Sequence, residues 1–343
     1  LRIDAFDYAL PPGAIAQQPL PDRAASRLMV LDRARAEVRH RVVRDLPALL
    51  SPGDLLVVNR SRVFPARLLG QREGGGRAEV LLIRPLGDTV WEALVRPGRR
   101  LRAGARVIVA EDLAVRIESG ATGDDSPRRR VRLECAGDLA VVLERRGHTP
   151  LPPYIRRPDR PEDRERYQTV YALEPGSVAA PTAGLHFTPE LLAALEARGV
   201  ERAEVVLHVG PGTFRPVQVS QVEDHRVEPE PYRIPAETAA AVGRTRARGG
   251  RVVAVGTTTV RALETAAKEG VVSEGEGETG LVIVPGFRFQ VVDALLTNFH
   301  LPRSSLLLLV CALGGRERVL AAYGEAVRAG YRFYSYGDAM LIV

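Results

Sequence analysis

The feature that most restricts this chain is a change in hydrophobic period along its length. Between about Pro65 and Pro150, short stretches at 78–83, 90–95, 105–110, 113–117 and 131–135 alternate in polarity and are separated by Gly, Pro or Asp clusters. Period-two segments at such close spacing predict a small antiparallel barrel or sandwich. Beyond Leu151-Pro152-Pro153-Tyr154 the pattern becomes one of strand-like runs alternating with helical ones. Residues 189–198 read as a helix, with Thr188 as N-cap, Pro189 in the first position and Gly199 as the stop. Strands at 203–209, 251–255 and 280–284 and helices at 236–248, 259–268, 304–312 and 317–329 complete the alternation. That order predicts a largely parallel sheet wrapped by helices. Apolar strands at 28–31 and 55–58, the second after the turn Ser51-Pro52-Gly53-Asp54, precede the insert. The expected fold class is α/β, with residues 1–64 and 151–343 forming a large domain around a small β-barrel domain at 65–150.

Length and composition agree with two folded units, since 343 residues of which 45% are hydrophobic can bury a full core. Lys and Arg number 48 against 42 Asp and Glu, a net charge of +6, and Lys268 is the single lysine. This balance suits a polyanionic partner without requiring one. Cys135 and Cys311 stand alone in unlike contexts, which argues against a disulfide framework, a zinc ribbon or a CxxC redox centre and fits a reducing cytosol. The longest apolar run, 306–313, is too short to span a membrane, and the first residues show no secretory leader. A cytoplasmic, membrane-free protein is expected.

Ligands of such sheets gather at the carboxyl ends of strands, where small turn residues expose backbone amides. Two runs fit: Leu207-His208-Val209-Gly210-Pro211-Gly212-Thr213, and Val253-Ala254-Val255-Gly256-Thr257-Thr258. Each passes from a strand into a Gly/Thr turn, and the second opens a helix. Neither a GxGxxG after the first strand nor a P-loop is present, and Gly74-Gly75-Gly76 reads as a hairpin loop. Of six histidines, His186, His208, His225 and His300 fall at strand or loop ends in the second half and form a candidate acid–base set. None has HExxH spacing, so no metal site is expected, and a metal hydrolase is the weaker reading. A non-catalytic RNA binder that reads through its barrel is a further alternative.

Several long blocks then point to one family. Pro181-Thr182-Ala183-Gly184-Leu185-His186-Phe187-Thr188, Leu207 to Phe214, Val255-Gly256-Thr257-Thr258, Leu296-Thr297-Asn298-Phe299-His300-Leu301-Pro302 and Tyr336-Gly337-Asp338-Ala339-Met340 resemble the S-adenosylmethionine:tRNA ribosyltransferase-isomerases of queuosine biosynthesis. So do Tyr8-Ala9-Leu10-Pro11, Ser26-Arg27-Leu28, Gly53-Asp54 and Arg62-Val63-Phe64-Pro65-Ala66-Arg67-Leu68. The blocks follow the family's order over nearly the whole chain. The resemblance implies a large, barrel-like α/β domain with a small antiparallel β-barrel inserted after its first segment. It implies a monomeric enzyme without a tightly bound cofactor, using S-adenosylmethionine as ribosyl donor. The partner would be a tRNA with 7-aminomethyl-7-deazaguanine at the wobble position, giving an epoxycyclopentanediol base, adenine and methionine. Two positions depart from the pattern. Asn59-Arg60-Ser61-Arg62 stands where the family has Asn-Asp-Thr-Arg, and His225-Arg226-Val227-Glu228-Pro229-Glu230 where it has His-x-Met-His-x-Glu.

A sulfonium acidifies the neighbouring C5′ hydrogens, so such a reaction calls for a general base, a proton donor for adenine and a dry cavity. His186, His208 and His300, then His225 and Glu230, are the acid–base candidates. Thr182, Gly184, Gly210, Gly212, Thr213, Gly256, Thr257, Thr258 and Asn298 are the candidate substrate anchors. Arg261 and Glu264, one helical turn apart, read equally as a surface pair or as binding groups. Asp338 reads as holding a substrate amine or capping a turn. Tyr331, Phe333, Tyr334 and Tyr336 read as an alternating strand shared between core and RNA stacking. Residues 119–130 read as a mobile, charged loop with Arg128-Arg129-Arg130 in a solvated turn.

Overall fold

The computed structural model describes residues 1–120, 127–214 and 217–343, without the side chains of Thr213 and Phe214. Half of the expected 119–130 loop, 121–126, lies outside the described residues.

The large unit is a nine-stranded mixed sheet. Its order is Gly275–Thr279, Glu230–Ile234, Glu201–Leu207, Leu55–Asn59, Val252–Val255, Ala294–Asn298, Ala339–Ile342, Arg27–Asp32 and Glu37–Val42. The four central strands, Glu201–Leu207, Leu55–Asn59, Val252–Val255 and Ala294–Asn298, run parallel, and antiparallel pairs flank them. The central strands are continuous apolar runs because both faces are covered. Leu55 and Val57 enter one core, and Leu56 and Val58 enter the other across the sheet. Val252 and Ala254 alternate with Val253 and Val255 in the same way. Helix Ser305–Gly314 is buried along nearly its whole length and is accordingly apolar all round. Helix Pro189–Ala197 starts as its cap requires, Thr188 Oγ1 accepting from the Leu191 amide at 3.2 Å.

The insert is a closed six-stranded antiparallel barrel ordered Arg128–Cys135, Val90–Arg96, Arg77–Pro85, Arg67–Arg72, Arg106–Ala110 and Leu113–Gly120. Its inward alternates, among them Leu68, Val80, Val95, Val107, Val115 and Val131, form a separate core. The crossing from sheet to barrel is held by Gln168, whose side chain accepts from the Val63 amide at 3.0 Å and donates to the Val63 carbonyl at 2.6 Å. Paired backbone bonds between Arg67 and His148 join the barrel's entrance to its exit.

Three sequence expectations give way here. Residues 280–284 form no strand; the ladder partner of Glu230–Ile234 is the polar Gly275–Thr279 just before them. An edge strand half exposed to water needs no apolar run, whereas Ile283 is buried from coil. Residues 331–336 form a turn closed by Gly337 N to Tyr334 O at 2.8 Å, and all four of its aromatic rings are buried. They are core, with no face left for a base to stack on. Arg128-Arg129-Arg130 begins a barrel strand, and Arg129 is buried, its guanidinium donating to the Leu101, Gly98 and Arg128 carbonyls.

Candidate active site

The four parallel strands end together at Asn59, Leu207, Val255 and Asn298, so the loops that follow them share one edge of the sheet. Asn59 fastens two of these ends. Its Oδ1 accepts from the amides of Ser61 and Leu207, and its Nδ2 donates to the Leu207 carbonyl at 2.9 Å. Ser177 Oγ donates to Ser61 Oγ at 2.9 Å and accepts from the Val209 amide at 3.0 Å, which ties the loop at 208–212 to the barrel crossing.

Two hollows open at this edge. The smaller, of about 30 Å³, is lined by Thr182, Gly256, Thr257, Thr258, Thr297, Asn298, His300, Tyr334 and a few apolar neighbours. The larger, of about 480 Å³, lies between the sheet and the barrel. His208, Gly210, Gly212, Glu228, Glu230 and Arg261 face it from one side, and Arg84, Glu92 and Arg128 from the barrel. Val209 and Leu306 line both, so the two adjoin. A hollow of about 860 Å³ near Gly53, Glu201 and Arg248 lies at the amino ends of the same strands and is more open. Its volume is the largest, but the carboxyl edge has the exposed amides and convergent polar groups that ligands of such sheets use.

The small hollow is walled by neutral polar groups. Gly256 turns the strand Val252–Val255 into helix Thr257–Ala266 with φ of 86°, a left-handed conformation that favours glycine. Thr259 Oγ1 bonds back to the Val255 carbonyl at 2.7 Å and secures that turn. His300 Nε2 meets Thr297 Oγ1 at 2.8 Å, and its backbone carbonyl accepts from the Tyr8 hydroxyl. His186 stands behind the wall, with Nε2 3.2 Å from Asn298 Nδ2. Burial lowers the His186 imidazole to about 4, helped by Arg23 and Arg332, and burial alone lowers His300 to about 3. Both rings are neutral at pH 7.

The larger cleft has a mostly apolar lining, and its polar groups are largely paired charges. Glu230 is 5% exposed, accepts from the Gly210 amide at 2.7 Å and pairs with Arg261. Arg261 also donates to the Leu281 and Thr279 carbonyls, both at 3.0 Å. Across the cleft Arg128 pairs with Glu92 and, at 2.5 Å, with Glu228. His208 lies on the backbone of Gly176, where an added Cβ would come within 2.7 Å of the ring. Its Nδ1 is buried with no hydrogen-bond partner among the described residues. Burial lowers its pKa, Glu174 raises it in part, and Arg233 lowers it further.

Of the candidates read from sequence, Thr182, Gly256, Thr257, Thr258, Asn298 and His300 meet in the small hollow, and His208, Gly210, Gly212 and Glu230 in the cleft. His186 reaches the site only through Asn298. His225 lines neither hollow. Gly184 lines neither; its missing side chain makes room for Tyr171, whose hydroxyl would lie 2.1 Å from an added Cβ. The Thr213 side chain lies outside the described part. Arg261 and Glu264 are no surface pair: Arg261 joins Glu230, and Glu264 accepts from the amides of Gln290, Val291 and Val292. Asp338 caps a turn, accepting from the Arg27 and Arg332 amides. Arg60, which stands where the family has an acid, pairs with Glu174 and Glu204 and lines neither hollow. Sequence reasoning missed Arg84, Glu92 and Arg128, because nothing local says which barrel residues face the sheet.

Comparison with known proteins places the chain among relatives. Residues 3–342 match the family described as Queuosine biosynthesis protein. The chain is 56% identical over 341 residues to the S-adenosylmethionine:tRNA ribosyltransferase-isomerase of Gloeobacter violaceus, covering 99% of this chain and 95% of that protein. It is 52% identical to the enzyme of the same name from Heliobacterium modesticaldum, with full coverage of both, 100% each. The crystal structure of S-adenosylmethionine tRNA ribosyltransferase from Thermotoga maritima matches 99% of this chain and 100% of its own, at 42% identity and a TM-score of 0.57. The match over nearly the whole chain and these identities establish that this chain belongs to the queuosine biosynthesis protein family.

Proposed function

We propose that the chain is an S-adenosylmethionine:tRNA ribosyltransferase-isomerase that acts at the carboxyl edge of its sheet. It moves the ribosyl part of S-adenosylmethionine onto 7-aminomethyl-7-deazaguanine at the tRNA wobble position and releases adenine and methionine. The observation that carries this reading is the cleft of about 480 Å³ between sheet and barrel, with His208 in its wall and a neutral polar hollow adjoining it. That volume falls in the range of pockets for a ligand of nucleoside size.

His208 is the histidine placed to exchange protons with a substrate. It faces the cleft, its pKa is shifted down, and Nδ1 has no partner within the described residues. As general base it takes a C5′ proton made acidic by the sulfonium; the C4′–O4′ bond breaks, the freed oxygen becomes a C1′ carbonyl, and adenine leaves with the proton His208 returns. The amine of the tRNA base adds to C4′, the carbanion this leaves at C5′ closes on C1′ to form the five-membered ring, and the C1′ alkoxide displaces methionine from C5′ to close the epoxide. His300 and His186, neutral and buried, serve as fixed hydrogen-bonding groups. Glu230 is a positioning residue that holds the Gly210 amide and Arg261. Arg84 and Arg128 meet the phosphates of the anticodon loop on the barrel side, a role that the net charge of +6 favours.

In this reading residues 1–64 and 151–343 form one domain around 65–150, since every barrel strand falls between Arg67 and Cys135. The enzyme works in the cytoplasm as a monomer without a tightly held cofactor. The unpaired Cys135 and Cys311 suit a reducing compartment. The direct test supplies S-adenosylmethionine and tRNA carrying the aminomethyl-deazaguanine base. Adenine release with a matching mass gain on the tRNA is expected. Tight tRNA binding by folded protein without adenine release would instead identify an RNA binder.

A further inference from the structure

The small hollow presents a buried acceptor that receives nothing from the protein. Asn298 is 2% exposed, and its Nδ2 donates to the Tyr334 carbonyl at 3.1 Å and to His186 Nε2 at 3.2 Å. A carbonyl can only accept, so the Tyr334 contact decides which end of the amide is nitrogen. Tyr334 itself is held at φ of 71°, uncommon for an aromatic residue, in the conformation that aims this carbonyl. Asn298 lines the hollow, and its Oδ1 is buried with no hydrogen-bond partner among the described residues. A buried oxygen left unpaired is unfavourable, and it marks a place where a donor from outside is received.

Another wall of the hollow carries the opposite polarity. Gly256, Thr257 and Thr258 line it at the start of the ten-residue helix Thr257–Ala266. The first amides of a helix have no acceptor within it, and the helix dipole favours negative charge there. A group that offers N–H donors on one side and negative oxygens on the other, a few ångströms apart, is a zwitterionic α-amino-acid head.

We propose that the small hollow receives the amino-acid end of S-adenosylmethionine, the ammonium donating to Asn298 Oδ1 and the carboxylate accepting from the Thr257 hydroxyl and the first-turn amides of helix Thr257–Ala266. The sulfonium and adenosine then extend past Val209 and Leu306 into the cleft beside His208. The assignment rests on the transferase reading and deepens it by orienting the donor. The cleft of about 480 Å³ has room for a nucleoside, and the small hollow, which holds about two waters as it stands, opens into it past Val209 and Leu306. Free methionine, the released product, carries the same head group and is a second source of this chemistry.

Titration calorimetry on the full chain distinguishes the outcomes. The probes are S-adenosylhomocysteine, 5′-methylthioadenosine, which keeps adenosine and sulfur but lacks the amino-acid end, and methionine alone. The unmodified protein is expected to bind S-adenosylhomocysteine about tenfold or more tightly than methylthioadenosine. Asn298→Ala and Thr257→Val should each weaken S-adenosylhomocysteine by about tenfold and leave methylthioadenosine within about twofold. Methionine alone should bind weakly to the unmodified protein and more weakly to both variants. Equal loss for both nucleosides would overturn the proposal, because the residues would then act on adenosine or on the fold. Equal affinity of the unmodified protein for both nucleosides would overturn it too, leaving the hollow to water. Should Asn298→Ala not fold, Thr257→Val carries the same test. Failure of every nucleoside to bind, with no adenine released, would remove the transferase reading itself.

Discussion

The two hollows at the carboxyl edge share Val209 and Leu306 and are built from opposite materials. The smaller is closed by neutral groups: Asn298, His300, threonine hydroxyls and helix amides. The larger is flanked by ion pairs, Arg261 with Glu230 on the sheet side and Arg128 with Glu228 across to the barrel. The contrast follows from the cost of burial. A charge sealed away from water needs a partner, whereas fixed dipoles keep their strength in a dry wall without one. The molecule thus combines a neutral hollow that recognises by hydrogen-bond geometry with a cleft whose polar groups are paired charges.

The sharpest way to break this division is to remove the proton carrier assigned to the cleft. His208→Ala should lower the rate of adenine release by roughly 10²- to 10⁴-fold while leaving the affinity for S-adenosylmethionine nearly unchanged. Near-normal turnover in the folded variant would move the acid–base role elsewhere. The same assay on His186→Ala tests the buried ring, for which a smaller loss is expected.

The cleft's two ion pairs should differ in what they contribute to stability. Arg261 and Glu230 have side chains 8% and 7% exposed, so Glu230→Gln strands a buried guanidinium and should cost about 3–5 kcal/mol in urea unfolding. Loss below about 1 kcal/mol would show that water reaches this pair.

Acid should find the two buried histidines. Below the ordinary imidazole value of 6.5 the unfolded chain takes up a proton at residues 186 and 300, while the folded chain resists until about 4 and about 3. Stability is therefore lost as pH falls from 6.5 toward those values, by about 3 kcal/mol for the two rings together at a pH one unit below 6.5. His186→Gln should remove about half of that slope; an unchanged slope would mean that the ring is protonated in the folded protein.

The smallest effect is expected at the mouth. Arg128 and Glu228 have side chains 24% and 44% exposed, so Arg128→Ala should change stability by less than about 1 kcal/mol. Its signature should be a raised KM for tRNA and a weaker dependence of that KM on salt. An equal rise in KM for S-adenosylmethionine would place Arg128 on the donor instead.

By itself the sequence determined the change of period, and with it the sheet, the barrel and nearly every central element. Strand 55–58 is found as Leu55–Asn59 and helix 236–248 as Ala236–Ala247, because apolar periodicity and caps are local consequences of burial and of backbone amides needing partners. The long blocks around Asn298 and Gly256 also marked residues that converge at one edge. Only the tertiary structure decided which side chains meet. Arg261 looked suited to Glu264 one turn away, yet it pairs with Glu230 from a neighbouring strand, and Arg129 entered the barrel wall from a run that read as solvated. The rings at 331–336 alternate like a strand yet pack as a buried turn. Periodicity records whether a residue is covered; what covers it depends on strand order and on where the barrel rests, and neither is encoded within one segment.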